Sequence, residues 1–275
     1  MKGKNFKSTI SDFGDEWNKF NNENISDFEL RKIFNNYFNI FPKKFLNKTK
    51  IGIDLGSGSG RWANFILPNV KKLYLLEPSK KALDVSKKKL KKYHNTIFCN
   101  LEIKNINKIK QKFDFAYSLG VIHHLNYPEK AFLLIRKKLK KNSPFLVYLY
   151  HDFEENNFFY KFLWKISEIF RYFISRQNFF IKSAICDLIA IFIYYPIAKL
   201  SKSFLIFFPG SKNFPLSYYR NKPFYVMRND SLDRFGTKYE KRYSKKEIIK
   251  LFKKSGFKKI KISTNRPYWC AIGYN

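Results

Sequence analysis

The sequence predicts an α/β domain built on a doubly wound, mostly parallel seven-stranded sheet, with a helical insertion after the fifth strand. Three observations predict it. Short apolar runs alternate with helical periodicities from Ile51 to Tyr150, a glycine-rich turn follows the first of those runs, and the alternation stops at His151, where a long aromatic segment takes over. Strands separated by helices at this spacing join as right-handed βαβ units, which makes neighbouring strands parallel.

Each element has its own signal. Ile25 to Phe45 reads as helical because Phe28, Ile33, Phe34, Tyr37, Phe38 and Phe41 fall near a 3.6-residue period, and Pro42 closes the segment. Ile51 to Leu55 is the first strand, Arg61 to Leu67 opens a helix, and Leu73 to Leu76 is the second strand. Ser79 to Tyr93 is a Lys-rich helix that turns Ala82, Leu83, Val85 and Leu90 inward. Strands follow at Thr96 to Cys99 and Phe113 to Ser118, a helix at Pro128 to Leu139, and a strand at Pro144 to Tyr150. Phe158 to Phe208 reads as two or three helices, and Asn213 to Arg234, with Pro215 and Pro223, as a loop. Ser244 followed by Glu247 is a capping box that starts a helix to Ser255, with Gly256 at its stop. Lys259 to Ser263 and Tyr268 to Gly273 close the sheet as a hairpin. Four segments result: an N-terminal helical cap (1–48), an α/β core (49–150), an aromatic helical insertion (151–234), and a closing helix with two strands (235–275).

Composition narrows the class. A chain of 275 residues with 45% hydrophobic content can bury a large core. Its formal net charge of +33, from 54 Lys and Arg against 21 Asp and Glu, would ordinarily suggest nucleic acid or an anionic surface. The Lys residues are scattered, however, and Lys, Asn, Ile, Phe and Tyr share A/T-rich codons, so a solvated basic surface is the reading adopted and nucleic acid is not expected as a partner. Cys99, Cys186 and Cys270 form no CxxC pair, which predicts a reducing, cytoplasmic setting. No signal peptide is read at the N-terminus. Ser183 to Ala198, interrupted by Asp187 and Pro196, falls short of the ~20 residues that cross a bilayer, so it is expected to pack or to lie on a surface.

The chemistry is carried by Asp54-Leu55-Gly56-Ser57-Gly58-Ser59-Gly60, which follows an apolar strand and precedes a helix. Glycines there allow a tight turn and close approach of the backbone to a ligand. At the end of the next strand stands Glu77, a carboxylate able to accept both hydroxyls of a ribose. A dinucleotide fingerprint would need glycine where Arg61 stands, and a phosphate-binding P-loop would need GK[ST]; neither fits.

An acid followed by GxGxG resembles the first motif of class I S-adenosylmethionine-dependent methyltransferases. Glu77 matches that family's second motif, and Phe113-Asp114-Phe115-Ala116-Tyr117-Ser118-Leu119-Gly120-Val121-Ile122-His123-His124-Leu125 its fourth. Leu139-Lys140-Lys141-Asn142-Ser143-Pro144 is close to the family's "LKPGG" turn. The resemblance implies a Rossmann-like core, S-adenosyl-L-methionine as cofactor, Asp54 near the methionine amino group, and cofactor contacts from Asp54, Gly56, Ser57, Gly58, Gly60, Glu77, Glu102 and Ser118. Where the family often has an Asp for the adenine amine, this chain has Asn100-Leu101-Glu102, which makes Glu102 the candidate. The flanks Phe13–Trp17, Arg234–Thr237 and Pro267–Cys270 are similar to a bacterial subgroup associated with surface polysaccharide modification.

Methyl transfer needs an oriented acceptor more than a covalent intermediate. For a hydroxyl acceptor a general base adds rate, and His123 and His124, beyond the fourth strand, are the candidates. His94 and His151 lack partners at ligand spacing, so no metal is expected. Trp17 and Phe20 read either as a cover over the cofactor or as plain packing. The charged run Arg228 to Arg234 reads as substrate recognition or an internal ion-pair cluster, with the cluster preferred. The aromatic insertion, with Lys161, Lys165, Arg171, Arg176, Lys182 and Lys199 interleaved, reads as a lid over the acceptor or as a surface meeting lipid, the lid being preferred. The function expected is methyl transfer to a hydroxyl of a small-molecule or glycan acceptor, a lipid-linked one included, in the cytoplasm with peripheral membrane contact as an option. The alternatives are a tRNA methyltransferase, which SLGVIHHL also resembles, and a non-catalytic cofactor- or membrane-binding module.

Overall fold

The computed structural model describes residues 14, 15, 19, 26–152, 158–207, 216–264 and 269–275; Trp17 and Phe20, Asn213–Pro215 and residues 265–268 lie outside them. In chain order the elements are α1 (Asp27–Phe38), β1 (Ile51–Leu55), α2 (Ala63–Ile66), β2 (Lys72–Leu76), α3 (Lys80–Lys89), β3 (Thr96–Cys99), β4 (Phe115–Leu119), α4 (Pro128–Lys138), β5 (Pro144–Leu149), α5 (Phe158–Ile174), α6 (Phe179–Ile189), α7 (Tyr195–Phe207), α8 (Phe224–Gly236), α9 (Lys245–Lys254), β6 (Lys258–Ile262) and β7 (Trp269–Tyr274). They fall into two compact units. One holds Ser26–Asp152 with Tyr239–Asn275, the other Phe153–Lys238.

In the first unit seven strands form one sheet in the order β3-β2-β1-β4-β5-β7-β6. The first five are parallel, and β7 runs antiparallel to both β5 and β6. This is the mostly parallel, Rossmann-like architecture the sequence predicts. On one side Phe132 of α4, Phe145 of β5 and Phe252 of α9 meet edge to face or tilted, with ring centroids 4.9 Å apart for Phe132 and Phe252. On the other, α1 lays Phe34 against Phe65, Tyr37 against Trp62 and Tyr148, and Phe38 against Tyr117.

Several boundaries move for physical reasons. The first helix starts at its Ser26 cap, whose hydroxyl accepts from the Glu29 amide, and stops at Phe38; Lys43–Phe45 past Pro42 is a separate 3-10 turn. The helix expected from Arg61 is a single turn at Ala63–Ile66 before the Pro68 turn. Phe113 pairs only as an isolated bridge with Leu139, so β4 begins at Phe115. In α3 it is Ser86, not Val85, that is buried beside Ala82 and Leu83, because the glycine loop approaches there and only a small side chain leaves room. The turn before β5 carries Asn142 at φ +60°, a conformation Asn tolerates better than most residues. The capping box forms as read: the Glu247 amide donates to Ser244 Oγ, and the Ser244 amide to Glu247 Oε2.

The second unit differs more. Residues expected as a loop form α8, with Pro223 just before its first turn and Val226, Met227, Ser231, Leu232 and Phe235 buried at helical spacing. Pro223 and the aromatic clutter around it masked that period. The apolar stretch judged too short to cross a bilayer belongs to a continuous helix, Phe179–Ser203, which is 25 residues long and long and apolar enough to do so by length and composition. Pro196 does not break it. Ala190–Tyr194, directly before, adopts a π-helical turn, which relieves the missing N–H and the ring clash with the preceding turn.

The aromatic cluster sets the stability of the sheet unit. Phe252 is fully buried, so Phe252→Ala is expected to lower unfolding stability by about 3–5 kcal/mol in urea titrations. A loss below about 1 kcal/mol would contradict the packing described.

Candidate functional site

Strand β1 lies between β2 and β4, and the chain leaves these strands toward opposite sides of the sheet. Their carboxyl ends therefore border the crevice where open α/β sheets bind ligands. The loop after β1 fills one lip. Gly56 (φ +79°) and Gly60 (φ +72°) hold left-handed conformations, and a Cβ would stand 2.5 Å from Val121 Cγ2 at the first and 2.5 Å from Ser86 Oγ at the second. Only glycine lets this loop sit against both α3 and the loop after β4. The Gly56 amide donates to the Leu76 carbonyl at 2.7 Å and the Gly60 amide to Ser57 at 2.9 Å, which closes the turn.

Glu77 faces this loop. Its Oε2 accepts from the Gly58 amide at 2.9 Å and its Oε1 from the Ser79 amide at 2.8 Å. A carboxylate has about four lone-pair sites, so two remain, the number a vicinal diol needs. Asn100 supports the acid from behind: its Nδ2 donates to the Glu77 and Pro78 carbonyls, both at 2.9 Å. Asp54, 2% exposed, has an Oδ2 with no hydrogen-bond partner among the described residues. Burial pushes its carboxyl up to about 8; the neighbouring Tyr117 hydroxyl opposes the rise and the Glu77 charge adds to it. Burial likewise pushes Glu77 up to about 7, against the two amides it accepts from. The Ser57 and Ser59 hydroxyls, close to this pair in the chain, are buried without partners among the described residues.

The remaining predicted residues are not all in the loop's reach. Ser118 is fully buried and donates to the Leu55 carbonyl at 2.9 Å, so its hydroxyl ties β4 to β1. Glu102 pairs with Lys104 at 2.9 Å in a partly exposed turn, and Asn100 two residues earlier is the side chain that reaches the acid's segment. His123 and His124 lie in a 3-10 turn beyond β4, both buried, with rings 4.1 Å apart. His123 stacks on Tyr150 at 3.9 Å, and burial first, then the neighbouring His124 and Arg242, holds it well below its usual titration range, so it is neutral. His124 Nδ1 lies 2.8 Å from the Tyr239 carbonyl; a carbonyl only accepts, so Nδ1 carries a proton and, in the neutral ring, the lone pair is on Nε2. The segment that clasps this pair, Tyr239–Tyr243, was not singled out from sequence. The Lys241 amide donates to the His123 carbonyl and the Tyr243 amide to that of Tyr150. Its one legible feature was its place just before the Ser244 cap. Among the described residues no group of three or more His, Cys, Asp or Glu could hold a metal ion.

Residues 53–145, from β1 to β5, match the model of the methyltransferase domain family. Solved structures agree in fold. An O-methyltransferase candidate of Nostoc punctiforme PCC 73102 superposes with a TM-score of 0.51 at 11% identity, over 88% of this chain and 57% of that one. The N-methyltransferase NodS of Bradyrhizobium japonicum WM9 gives 0.50 at 9% identity, over 90% and 98% of the two chains. NodS in complex with S-adenosyl-L-homocysteine gives 0.46 at 15%, over 52% and 74%. At these identities the likeness is one of fold. None of the curated proteins matches the chain. The sheet, the loop at its switch point and the family match define a class I methyltransferase domain. Residues 53–145 are thus an S-adenosylmethionine-dependent methyltransferase domain.

The residues present fit that cofactor. Two acids whose burial disfavours their charge, one with an orphaned oxygen, suit a ligand carrying cationic groups, and the open lone pairs of Glu77 suit a ribose diol. Asp54, Glu77 and the loop amides would hold it.

The raised titrations have a sign. The folded protein retains protons on Asp54 and Glu77 that the unfolded chain, with ordinary carboxylate values of 3.8 and 4.5, has already released, so these groups make stability fall as pH rises from about 4 toward 8. Asp54→Asn should remove Asp54's share, giving a less negative slope of unfolding free energy between pH 5 and 8 in urea titrations. Binding of the cationic donor to wild type at pH 7 should release protons, seen as a buffer-dependent calorimetric enthalpy. In Asp54→Asn that release should shrink and affinity drop about 10- to 100-fold, the worth of one charged hydrogen bond. Donor binding without proton release would refute the acid-pair account.

Proposed function

We propose that this methyltransferase transfers the methyl group to a hydroxyl of a small-molecule or glycan acceptor. The supporting observation is the fixed tautomer of His124: with Nδ1 committed to the Tyr239 carbonyl, Nε2 is the basic atom, and it belongs to the loop that adjoins the glycine turn through Val121. S-adenosylmethionine supplies, when bound, an electrophilic methyl that an acceptor oxygen takes in one displacement. The chain's own residues do the rest. Asp54 and Glu77 orient the donor, the loop glycines let the backbone approach it, and His124 Nε2 takes the proton that leaves the acceptor oxygen. His123, neutral and stacked on Tyr150, serves as the packing wall that keeps His124 in place. A reducing, cytoplasmic setting fits the three cysteines, none of which forms a disulfide.

Transfer of labelled methyl to nucleotide sugars, lipid-linked glycans and bulk tRNA tests this reading. Label is expected on a glycan or small-molecule oxygen; label on tRNA alone would overturn the acceptor class. His124→Ala should lower kcat about 10²- to 10⁴-fold with donor affinity unchanged. Unaltered turnover would remove His124 as the base.

A further inference from the structure

The Phe153–Lys238 unit turns charged and polar side chains inward beside apolar ones such as Tyr194, Met227 and Leu232, and exposes many of its large apolar ones. Along α5 the stripe turned toward α8 is Trp164, Ser167, Glu168 and Arg171: Arg234 of α8 bonds Ser167 Oγ at 2.8 Å and Glu168 at 2.6 Å, and Arg171 pairs with Glu168 at 2.7 Å. On α6 the inward positions are Lys182, 2% exposed, Ser183, Cys186 and Asp187; the Ser231 hydroxyl donates to the Cys186 carbonyl, and Arg228 forms a two-point pair with Asp187 at 2.9 and 2.8 Å. The outward stripes are apolar. Phe162, Ile169 and Phe173 on α5, and Phe180 (85% exposed), Phe192 (70%) and Leu200 on the Phe179–Ser203 helix, all face away from the unit. A water-solvated helical unit keeps such large apolar side chains inward, and exposed apolar helix faces of this kind mark an interaction surface.

The charge around it selects the partner. Residues 158–207 carry seven Lys or Arg and two acids, Glu168 and Asp187, and both acids are paired to arginines inside the unit. Lys161, Lys165, Arg176, Lys199 and Lys202 are exposed, and Arg176 and Lys199 lie over the rings of Tyr172 and Tyr195. Aromatics and cations bordering an apolar stripe match the interface of an anionic bilayer, where rings sit at headgroup depth and cations meet lipid phosphates.

We infer that this unit docks on an anionic lipid leaflet through the outward faces of α5 and the Phe179–Ser203 helix, lying in the interface without crossing it. Length alone would permit crossing, since 25 residues of helix reach about 37 Å. The Arg228–Asp187 pair sits about a third of the way along that helix with side chains 34% and 24% exposed, and crossing would strip its remaining water in the hydrocarbon. The inference stands on this unit alone and is independent of the methyl-transfer reading.

Flotation of the full chain with vesicles of phosphatidylcholine, alone or mixed with phosphatidylglycerol, tests it. Wild type should float with the anionic vesicles and be released in part by high salt. The triple variant Phe173→Glu, Phe180→Glu, Phe192→Glu should lose at least tenfold in partitioning while keeping its calorimetric donor affinity, which reports an intact core. Changing Lys161, Lys165, Lys199 and Lys202 to Gln should abolish the anionic preference and salt sensitivity. Phe28→Glu, an equally exposed phenylalanine on α1, should change nothing. The inference is overturned if wild type stays unbound to both vesicles, if Phe28→Glu weakens flotation as much as the triple variant, or if light scattering shows a lipid-independent dimer that the triple variant dissociates.

Discussion

The site is organised by one carboxylate. Glu77 closes β2, and its two oxygens hold the amides of Gly58 in the glycine loop and of Ser79 at the cap of α3. A single side chain thereby joins the ends of β1 and β2 and the start of α3. The bonds are charge-assisted and would be worth about 1.5–3 kcal/mol each in a fully ionised group. Burial works against that ionisation strongly enough to push the acid to about 7, and Asp54, close enough to feel its charge, rises further to about 8. Without a cation the pair is under electrostatic stress. Proteins tolerate this where a ligand relieves it, which is why perturbed acids in a cleft mark a site.

Everything near the pair is small for the same reason. Gly56 abuts Val121, Gly60 abuts Ser86, and Gly52 within β1 faces the ring of Phe115 with no room for a Cβ. Close packing converts these contacts into position: the loops after β1 and β4 are held against one another, so the acids and the histidine turn share one end of the sheet. The Ser118 bond to Leu55 fastens the same two strands at that end.

Much of this was legible in the chain. The βαβ rhythm, the three loop glycines and the acid at the end of the second strand are local signals, and local physics places them. What escaped was long-range. Asn100 matters because β3 lies beside β2 in the sheet, and Tyr239–Tyr243 because the chain returns after a long insertion to cover the histidines; no window of sequence contains either fact. Ser118 illustrates the converse. Its motif implied a cofactor contact, but at 0% exposure its hydroxyl is satisfied by the neighbouring strand. The helix hidden in Asn213–Arg234 was missed because Pro223 reads as a breaker, although proline just before a first turn costs a helix nothing.

The two units solve opposite solvation problems with one composition. In the sheet unit phenylalanines meet one another inside, and Lys-rich faces such as that of α3 point to water. In the insertion several arginines and acids turn inward to pair beside buried apolar side chains, while Phe162, Phe173, Phe180 and Phe192 point out, so the same Phe- and Lys-rich usage serves a different pattern. Overall hydrophobic content and the +33 charge average over both and reveal neither. Ion pairs buried at this level stabilise little against well-packed apolar contacts, so stability alone gives no reason to place them inside. The arrangement makes physical sense if the outside is not water: apolar exteriors then cost nothing, and polar groups need each other.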